Sequence, residues 1–428
     1  MIKQPPKGMR DLLPEEMIKR NYVFDIIKSV FIKYGFDPLE SPSVEYSEVL
    51  EGKYGEEEKL IYKFKDKGGR DLALRYDLTV PLSRIIAANP NLNKPFKRFQ
   101  ISRVWRYDRP GKGRYKEFWQ CDVDVVGSDS ILADAEIIAV TIEIMEDLGF
   151  KDYTVRLNNR KILNSILESV GVPEKKYNEV LISIDKLERI GIEGVKKELR
   201  EKELSPKQIN GLSSFFDISG NNQQILNKLK KTLKNGKGEE GLNEMYELVS
   251  YLDKMGLPKK YKIMVSLARG LDYYTGPTFE TVLNGVEMGS VSGGGRFDKL
   301  IGKFSGTDIP ATGTSIGIER IIDVMKELNF DLPKQKTLTK VLVVNVDEST
   351  LQDCIKLASF LRKNNVSCQF NLSGKKFGKQ IKYADSLGIQ YLAIIGKEEL
   401  KQNKVTLKDM VTGKQRKVNK EALLKIVS

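Results

Sequence analysis

Residues 99–127 read FQISRVWRYDRPGKGRYKEFWQCDVDVVG and predict two β-strands joined by a turn. The strands are expected over Phe99–Tyr107 and Tyr115–Val126, because the run DRPGKG between them is rich in turn-forming residues. Side chains alternate between the two faces of a strand. One face of the second strand carries Phe118, Gln120, Asp122 and Asp124. The hairpin therefore predicts an apolar layer on one side and an acidic, amide-bearing surface on the other.

Basic residues cluster at the turn of this hairpin and just before it. They are Arg106, Arg109, Lys112 and Arg114. Cations at the turn, with carboxylates a few residues deeper, suit a ligand that has a phosphate chain at one end and a cationic or hydrogen-bonding group at the other. A solvated edge hairpin is the alternative interpretation of these residues when they are taken alone.

The hairpin resembles motif 2 of the class II aminoacyl-tRNA synthetases. The matching residues are Arg106-Tyr107-Asp108, Arg114 and Phe118. The continuation Gln120-Cys121-Asp122-Val123-Asp124 is similar to the histidyl-tRNA synthetase family within that class. The hairpin alone indicates the class, and two later segments narrow the resemblance to that family.

The more specific of these segments is Met264–Glu280, MVSLARGLDYYTGPTFE. It predicts a short strand that delivers Arg269 to a glycine turn, followed by Asp272, Tyr273 and Tyr274. ARGLDYYTG resembles the histidine-specific segment of the family. Residues 289–298, GSVSGGGRFD, resemble a second such segment. Phe297 stands there in place of the usual tyrosine, which removes a hydroxyl group.

Residues 313–327, GTSIGIERIIDVMKE, predict a strand followed by a helix that has Arg320 in its first turn. A cation beside a helix N-terminus makes an anion site. The segment resembles motif 3 of the class, whose arginine binds the end of the ATP triphosphate. Upstream, GFDPLESPSVEYSEVL resembles motif 1 and follows a predicted amphipathic helix of about twenty residues. Motif 1 implies a homodimer.

Residues 72–82, LALRYDLTVPL, are predicted to form a strand with Arg75, Asp77 and Thr79 on one face. A carboxylate and a hydroxyl two residues apart suit an ammonium group, since both accept its hydrogen bonds. The resemblance assigns the amino group of histidine to Asp77, Thr79 and Gln120.

The composition limits the classes of protein to which the chain can belong. The chain has 428 residues, of which 40% are hydrophobic and 30% charged, so we expect a soluble protein of two or three domains. No apolar run is long enough to span a bilayer, and the N-terminus lacks a signal-peptide pattern. Three scattered cysteines indicate a reducing compartment, and a cytoplasmic location is expected. The sequence contains no histidine, so no imidazole of the protein can act as a base or metal ligand.

Charge and periodicity divide the chain. From residue 334 to 428 there are 19 Lys/Arg and 8 Asp/Glu, which gives that segment most of the net charge of +13 and favours a polyanionic partner. Its strands and helices alternate as in an α/β domain, and it resembles an anticodon-binding domain. The expected fold is therefore α+β. An antiparallel class II catalytic domain spans 1–170 and 259–333, a helical insertion spans 171–258, and the anticodon-binding domain spans 334–428.

The resemblance implies activation of L-histidine by ATP, with Mg²⁺, and transfer of the histidyl group to tRNA(His). It implies that Arg106 and Arg269 contact the α-phosphate and substrate carboxylate, with Arg114, Arg320 and Asp108 also at ATP. Phe118 would stack on adenine, and Asp124 with Tyr273 and Tyr274 would hold histidine. The resemblance does not identify the residues that bind Mg²⁺. Two alternatives are a histidine-sensing regulatory paralogue of ATP phosphoribosyltransferase without tRNA charging, and a tRNA-binding scaffold.

Overall fold

A computed structural model describes residues 2–234, 236–269, 273–372 and 374–428. These residues form two compact units. The first contains Val23–Phe330 and the described residues up to Arg10, and the second contains Asp331–Ser428 together with Asp11–Tyr22. The predicted N-terminal helix is confirmed as α1 (Pro14–Lys33), which has Glu15 and Glu16 in its first turn. Acidic residues there complement the positive end of the helix dipole.

The first unit is built on two sheets. Its strands are β1 (Asp37–Pro38), β2 (Val44–Tyr46), β3 (Lys63–Lys65), β4 (Asp71–Leu74), β5 (Phe96–Trp105), β6 (Glu117–Val126), β7 (Tyr153–Asn159), β8 (Tyr261–Ile263), β9 (Pro277–Leu283), β10 (Ser292–Arg296) and β11 (Ala311–Ile316). The larger sheet has the order β1-β5-β6-β11-β10-β9-β7-β8, and the smaller has the order β2-β4-β3. Only the outer pairs β1–β5 and β7–β8 of the larger sheet are parallel, so the predicted antiparallel α+β unit is confirmed.

Helices flank this sheet, and a helical stretch interrupts it between β7 and β8. They are α2 (Ser47–Leu50), α3 (Thr79–Ala88), α4 (Ile131–Asp147), α5 (Arg160–Ser169), α6 (Tyr177–Asp185), α7 (Leu187–Glu201), α8 (Pro206–Phe216), α9 (Asn222–Thr232), α10 (Gly236–Lys254), α11 (Gly302–Ser305) and α12 (Ile318–Glu327). Helices α6 to α10 fall within the range expected for the insertion. Because the insertion is not separated from the rest of the first unit, its exact boundaries stay a prediction.

The β5–β6 hairpin has the register on which the rest of the site is built. The prediction of two strands and a turn is confirmed, with β5 starting three residues earlier than expected. Arg98 lies opposite Asp124, and Ser102 lies opposite Gln120. On the other side of β6, Gly313 of β11 lies opposite Asp124. Directly opposed residues share a face, so β5, β6 and β11 contribute to one surface.

The predicted strand over residues 72–82 is wrong. Strand β4 ends at Leu74, and Thr79 is the first residue of α3. The Oδ1 atom of Asp77 accepts a hydrogen bond from the backbone N–H of Val80 at 3.0 Å, which satisfies a free donor at the start of the helix. Pro81 in the first turn also favours a helix start. An alternating pattern of apolar residues could not reveal this side-chain cap.

Helix α4 is capped by Ser130, whose side-chain oxygen accepts a hydrogen bond from the backbone N–H of Leu132. One other local prediction also needs correction. The short strand expected to lead to Arg269 ends earlier, at Ile263. The glycine turn expected after Arg269 lies outside the described residues.

Helix α4 is held against the sheet by a buried ion pair. Arg296 at the end of β10 donates from Nε to Asp134 of α4 at 3.0 Å, and its other nitrogens reach the carbonyls of Ser128 and Ser130. Both charged side chains are almost fully buried. Burial raises the pKa of Asp134 to about 6, while Arg296 opposes that rise. The pair therefore fixes the connection between β6 and α4.

The second unit is an α/β layer. Its strands are β12 (Val341–Asn345), β13 (Cys368–Phe370), β14 (Tyr391–Ile395), β15 (Val405–Asp409) and β16 (Gln415–Val418). They lie in the order β13-β12-β14-β15-β16, with parallel pairs on both sides of β12. Its helices are α13 (Leu351–Lys363), α14 (Phe377–Leu387), α15 (Lys397–Lys401) and α16 (Lys420–Val427). The predicted alternation of strands and helices is confirmed.

Among the helices that the structure describes, none combines the length and apolarity needed to cross a membrane. Cys121, Cys354 and Cys368 are all buried free thiols.

We expect Arg296→Met to destabilise the first unit by about 3–5 kcal/mol, because it leaves Asp134 buried without its cation. Urea unfolding measures the change. Arg70→Met is the matched control, since Arg70 forms a solvent-exposed pair with Asp66 in the same unit and should leave the unfolding midpoint unchanged. Equal shifts in the two variants would contradict this assignment.

Candidate active site

A single cleft in the first unit is lined by twelve residues to which the resemblance assigned a role in binding ATP or histidine, whereas Arg109, Lys112 and Asp122 do not line it. The twelve residues are Asp77, Thr79, Arg106, Asp108, Arg114, Phe118, Gln120, Asp124, Arg269, Tyr273, Tyr274 and Arg320. They come from β6, α12, the start of α3 and the segments that flank the hairpin turn and β9. The structure therefore brings together segments that are up to 243 residues apart in the chain. The chemical roles of these residues remain proposals.

Four arginines converge on one end of the cleft: Arg106, Arg114, Arg269 and Arg320. Burial lowers the pKa of Arg320, and the positive charges of the other three lower it further. Like charges held this close repel one another, so the cluster is unfavourable until an anion enters. This end of the cleft is therefore suited to a polyphosphate.

Arg106 is held by its neighbours in a fixed orientation. Its Nε atom donates to the carbonyl of Tyr76 at 3.1 Å, and its guanidinium carbon lies 4.2 Å from the centre of the Tyr76 ring. The same carbon is 5.3 Å from the ring centre of Phe118. These contacts leave the guanidinium between two aromatic rings at the edge of the cleft.

Arg269 lies over strand β10 and is anchored by a carboxylate. Its Nη1 atom is 3.3 Å from Glu280 on β9. A methyl group on Gly293 would come within 2.3 Å of Nη2, so only glycine leaves room for this guanidinium. Burial lowers the pKa of Arg269, but the surrounding Tyr274, Glu280 and Asp185 outweigh it and raise the pKa overall. Arg269 therefore stays charged in the cleft.

The other end of the cleft is acidic and hydrogen-bonding. Asp77 accepts a hydrogen bond from the hydroxyl of Tyr54 at 2.9 Å, in addition to the one from Val80. The Nε2 atom of Gln120 donates to the hydroxyl of Ser315 at 2.9 Å. Burial raises the pKa of Asp77, whereas its hydrogen bonds and Arg106 lower it. A buried carboxylate beside an amide group suits a cationic ammonium group.

Asp124 lies on the floor of this acidic end. Its carboxylate is 2.7 Å from the guanidinium of Arg98 on β5. A methyl group on Gly313 would lie 2.0 Å from Asp124 Oδ1, so β11 must carry glycine there. Burial raises the pKa of Asp124 to about 6, and Arg98 opposes that rise. Burial also raises the pKa of the neighbouring Asp122, to about 7.

Phe297, at the position where the resemblance leads us to expect tyrosine, is buried against the tyrosines of the cleft. The ring is 2% exposed and makes an edge contact with Tyr273, with ring centres 6.0 Å apart. Tyr273 and Tyr274 are also in ring contact, 4.9 Å apart. The packing role of the ring is therefore kept, although the hydroxyl is absent.

Sequence reasoning missed the residues that support the cleft. Tyr54 holds Asp77, Glu280 holds Arg269, and Arg98 holds Asp124. Glu319 lines the cleft beside Arg320 and forms an ion pair with Arg10, whose guanidinium lies 3.2 Å from the ring centre of Tyr115. Arg98 lies one residue before the predicted hairpin, and the contacts of the other supporting residues join segments that are separated in the chain, so no local pattern indicated these roles.

An antiparallel sheet with a motif 2 hairpin, a strand-to-helix arginine and a cleft that joins cationic and acidic ends defines a class II aminoacyl-tRNA synthetase. Comparison with known proteins gives the family. The family model of histidyl-tRNA synthetases matches residues 8–321, and that of the anticodon binding domain matches residues 340–428. The chain therefore belongs to the histidyl-tRNA synthetase family.

Full-length relatives agree with this placement. A histidine–tRNA ligase from Clostridium tetani is 42% identical, over 98% of this chain and 97% of that protein. The crystal structure of histidyl-tRNA synthetase from Nostoc sp. PCC 7120 superposes with a TM-score of 0.88 at 34% identity, covering 100% of this chain and 99% of that one. A Bacillus halodurans structure described as an ATP phosphoribosyltransferase regulatory subunit/histidyl-tRNA synthetase has a TM-score of 0.78 at 24% identity, covering 92% of this chain and 98% of that one, and shares the fold.

We expect Gly313→Ala to weaken histidine binding at least about tenfold, because its methyl group must displace the Asp124 carboxylate. Titration calorimetry with L-histidine measures the change. Gly378→Ala is the matched control, since Gly378 lies in α14 with open space around its α-carbon. Unchanged histidine affinity in the folded Gly313→Ala variant would show that Asp124 does not contact the ligand.

Proposed function

We propose that this protein is a histidine–tRNA ligase that activates L-histidine with ATP and transfers the histidyl group to the 3′-terminal adenosine of tRNA(His). The observation that carries the proposal is the convergence of four arginines beside an acidic, phenolic pocket in one cleft. Phosphoryl transfer of this kind depends on positioning and charge neutralisation more than on a strong base. A chain without histidine can supply both.

In the first step, a histidine carboxylate oxygen attacks the α-phosphorus of ATP and the bond to pyrophosphate breaks. Arg106 and Arg269 would hold the carboxylate and α-phosphate in line and neutralise the charge that develops. Arg114 and Arg320 would bind the outer phosphates, with Asp108 at the same end of the cleft. Phe118 would stack on adenine, because its ring lies beside Arg106 on the cleft wall.

The acidic end would select histidine. Asp77, Thr79 and Gln120 would accept hydrogen bonds from the substrate ammonium group. Asp124 and Tyr274 would bind the two imidazole nitrogens, with Tyr273 packed against Tyr274. A wrong side chain would leave these buried groups unpaired, and each unpaired buried group costs roughly 1–3 kcal/mol.

In the second step, a hydroxyl oxygen of the terminal adenosine attacks the carbonyl carbon of histidyl-adenylate. The new ester bond forms as the bond to AMP breaks, AMP leaves with the electron pair, and the hydroxyl proton passes to the departing phosphate. The second unit is the part of the chain suited to the tRNA, since residues 334–428 carry 19 basic and 8 acidic residues.

Mg²⁺ would enter as part of the ATP substrate. Mg²⁺ commonly keeps several waters and binds substrate phosphates with one or two protein carboxylates. Within the described residues there is no group of three or more acidic or thiol side chains arranged to hold a metal. Glu319 and Asp108 line the cleft together with the arginines, and we propose these carboxylates as protein ligands for a phosphate-bound ion.

We also propose a homodimer in the cytoplasm. The small β2-β4-β3 sheet leaves Val44, Tyr46 and Phe64 between 38% and 49% exposed. Val44 and Tyr46 lie in the segment that resembles motif 1, and Phe64 lies on β3 of the same sheet. Exposed apolar side chains that lie together mark an interaction surface. Sedimentation analysis of the purified protein would test this assembly.

The regulatory paralogue is the second candidate, since its fold is shared by the Bacillus halodurans structure. The C-terminal unit and the match of its residues to the anticodon binding domain favour the ligase. A histidine sensor would bind histidine without catalysing exchange, and a tRNA-binding scaffold would bind tRNA without exchange.

The direct test is ATP–pyrophosphate exchange with each of the twenty amino acids. Histidine alone should support exchange, and tRNA(His) should then become charged. Exchange without charging would limit the protein to adenylate formation. No exchange with histidine, in protein that binds histidine, would favour the sensor.

Arg269→Met should reduce kcat for exchange roughly 10²–10³-fold, because it removes a preorganised cation from the developing charge. Steady-state exchange at saturating histidine and ATP measures the loss. Arg70→Met, at an exposed arginine outside the cleft, should retain the wild-type rate. A folded Arg269→Met variant with the wild-type kcat would remove Arg269 from the mechanism.

A further inference from the structure

Arg98 is buried beneath the acidic end of the cleft and does not line it. The side chain is 0% exposed, and its Nη2 atom lies 2.7 Å from Asp124 Oδ2 and 3.2 Å from the carbonyl of Leu78. It lies directly opposite Asp124 in the β5–β6 register, so the strand pairing itself fixes the contact. A cation is thus built into the floor of a pocket that the ligand reaches from the other side.

Fold stability alone does not account for this arginine. A buried ion pair contributes about as much as hydrophobic residues of similar volume, because desolvation offsets the attraction between the charges. Arg98 is also incompletely satisfied, since among the described residues its Nε and Nη1 atoms have no hydrogen-bond partner. By contrast, Arg296 uses three nitrogens in hydrogen bonds that tie α4 to the sheet. The position of Arg98 therefore indicates a role in the binding site and not in the stability of the core.

We propose that Arg98 is a positioning residue for histidine recognition, which keeps Asp124 ionised and holds its carboxylate in one orientation for the imidazole. This inference rests on the proposed function. One carboxylate oxygen of Asp124 lies at ion-pair distance from Arg98, while the other lies over the space that Gly313 leaves. The carboxylate therefore lies between the Arg98 guanidinium on β5 and the backbone of β11.

The charges around Asp124 explain why a cation is needed there. Asp122 lies two residues away on the same face, and Asp77, held by Tyr54, lies at the start of α3. The hydroxyls of Tyr273 and Tyr274 also line the cleft, and Arg106 and the Tyr54 hydroxyl act on Asp77. Three carboxylates in a buried space would otherwise take up protons. Arg98 is the guanidinium that lowers the pKa of both Asp122 and Asp124.

The test is a double-mutant cycle between Arg98→Met and Asp124→Asn, measured by histidine-dependent exchange. A neighbouring arginine lowers a carboxyl pKa by roughly 1 to 3, so Arg98→Met should raise KM for histidine about tenfold at pH 7. KM for ATP and kcat should stay within about threefold of wild type. Once Asp124→Asn is present, Arg98→Met should have no further effect on histidine KM.

The pH profile provides a second readout. Arg98→Met should move the acid limb of kcat/KM for histidine to higher pH, because Asp124 then binds its proton more tightly. Arg98→Lys keeps a cation and should leave the limb close to that of wild type. The ionisation of free histidine affects all variants equally. Differences between their acid limbs therefore arise from groups of the protein. If thermal denaturation shows that the Arg98→Met variant is not folded, the Arg98→Gln variant replaces it in the cycle.

Arg75→Met is the matched control, since Arg75 is also a buried arginine of this unit but pairs with Glu40 and not with a cleft carboxylate. It should leave histidine KM and the acid limb unchanged. Equal effects of the Arg98 change in the wild-type and Asp124→Asn backgrounds, or an unmoved acid limb, would overturn the proposal. Absence of histidine exchange in the wild-type protein would instead overturn the proposed function.

Discussion

The antiparallel register of β5 and β6 is the constraint on which the site depends. It places Arg98 against Asp124 and sets Gln120 on the same face of the sheet. The pairing of β6 with β11 then brings Gly313 beside Asp124, where any side chain would collide with the carboxylate. Because a shift of one residue would turn every one of these side chains to the other face, the register and the ligand pocket are fixed together.

The two ends of the cleft balance opposite electrostatic costs. Four arginines repel one another at one end of the cleft, and buried carboxylates resist ionisation at the acidic end. Supporting groups outside the cleft reduce each cost, as Glu280 does for Arg269 and Arg98 does for Asp124. Binding of a substrate that has phosphates at one end and cationic groups at the other removes the remaining electrostatic cost.

The sequence was sufficient for the main architecture and for twelve of the residues that line the cleft, because these lie in motifs with local patterns. The hairpin is the clearest case: its two strands and its turn follow from the sequence pattern, whereas the register that pairs Arg98 with Asp124 is seen only in the structure. The predicted strand begins at Phe99, one residue too late to include the pair. Thr79 was wrongly placed in a strand, because the cap made by Asp77 is a side-chain contact without an apolar period. Tyr54 and Glu280 had no local signal, since their contacts with Asp77 and Arg269 arise only when distant segments pack together.

A crystal structure of the protein with a non-hydrolysable histidyl-adenylate analogue tests the central claim most directly. We expect the phosphate mimic to contact Arg106 and Arg269, and the imidazole to contact Asp124 while Arg98 remains beneath that carboxylate. An imidazole bound away from Asp124, with the arginines directed to solvent, would contradict the account.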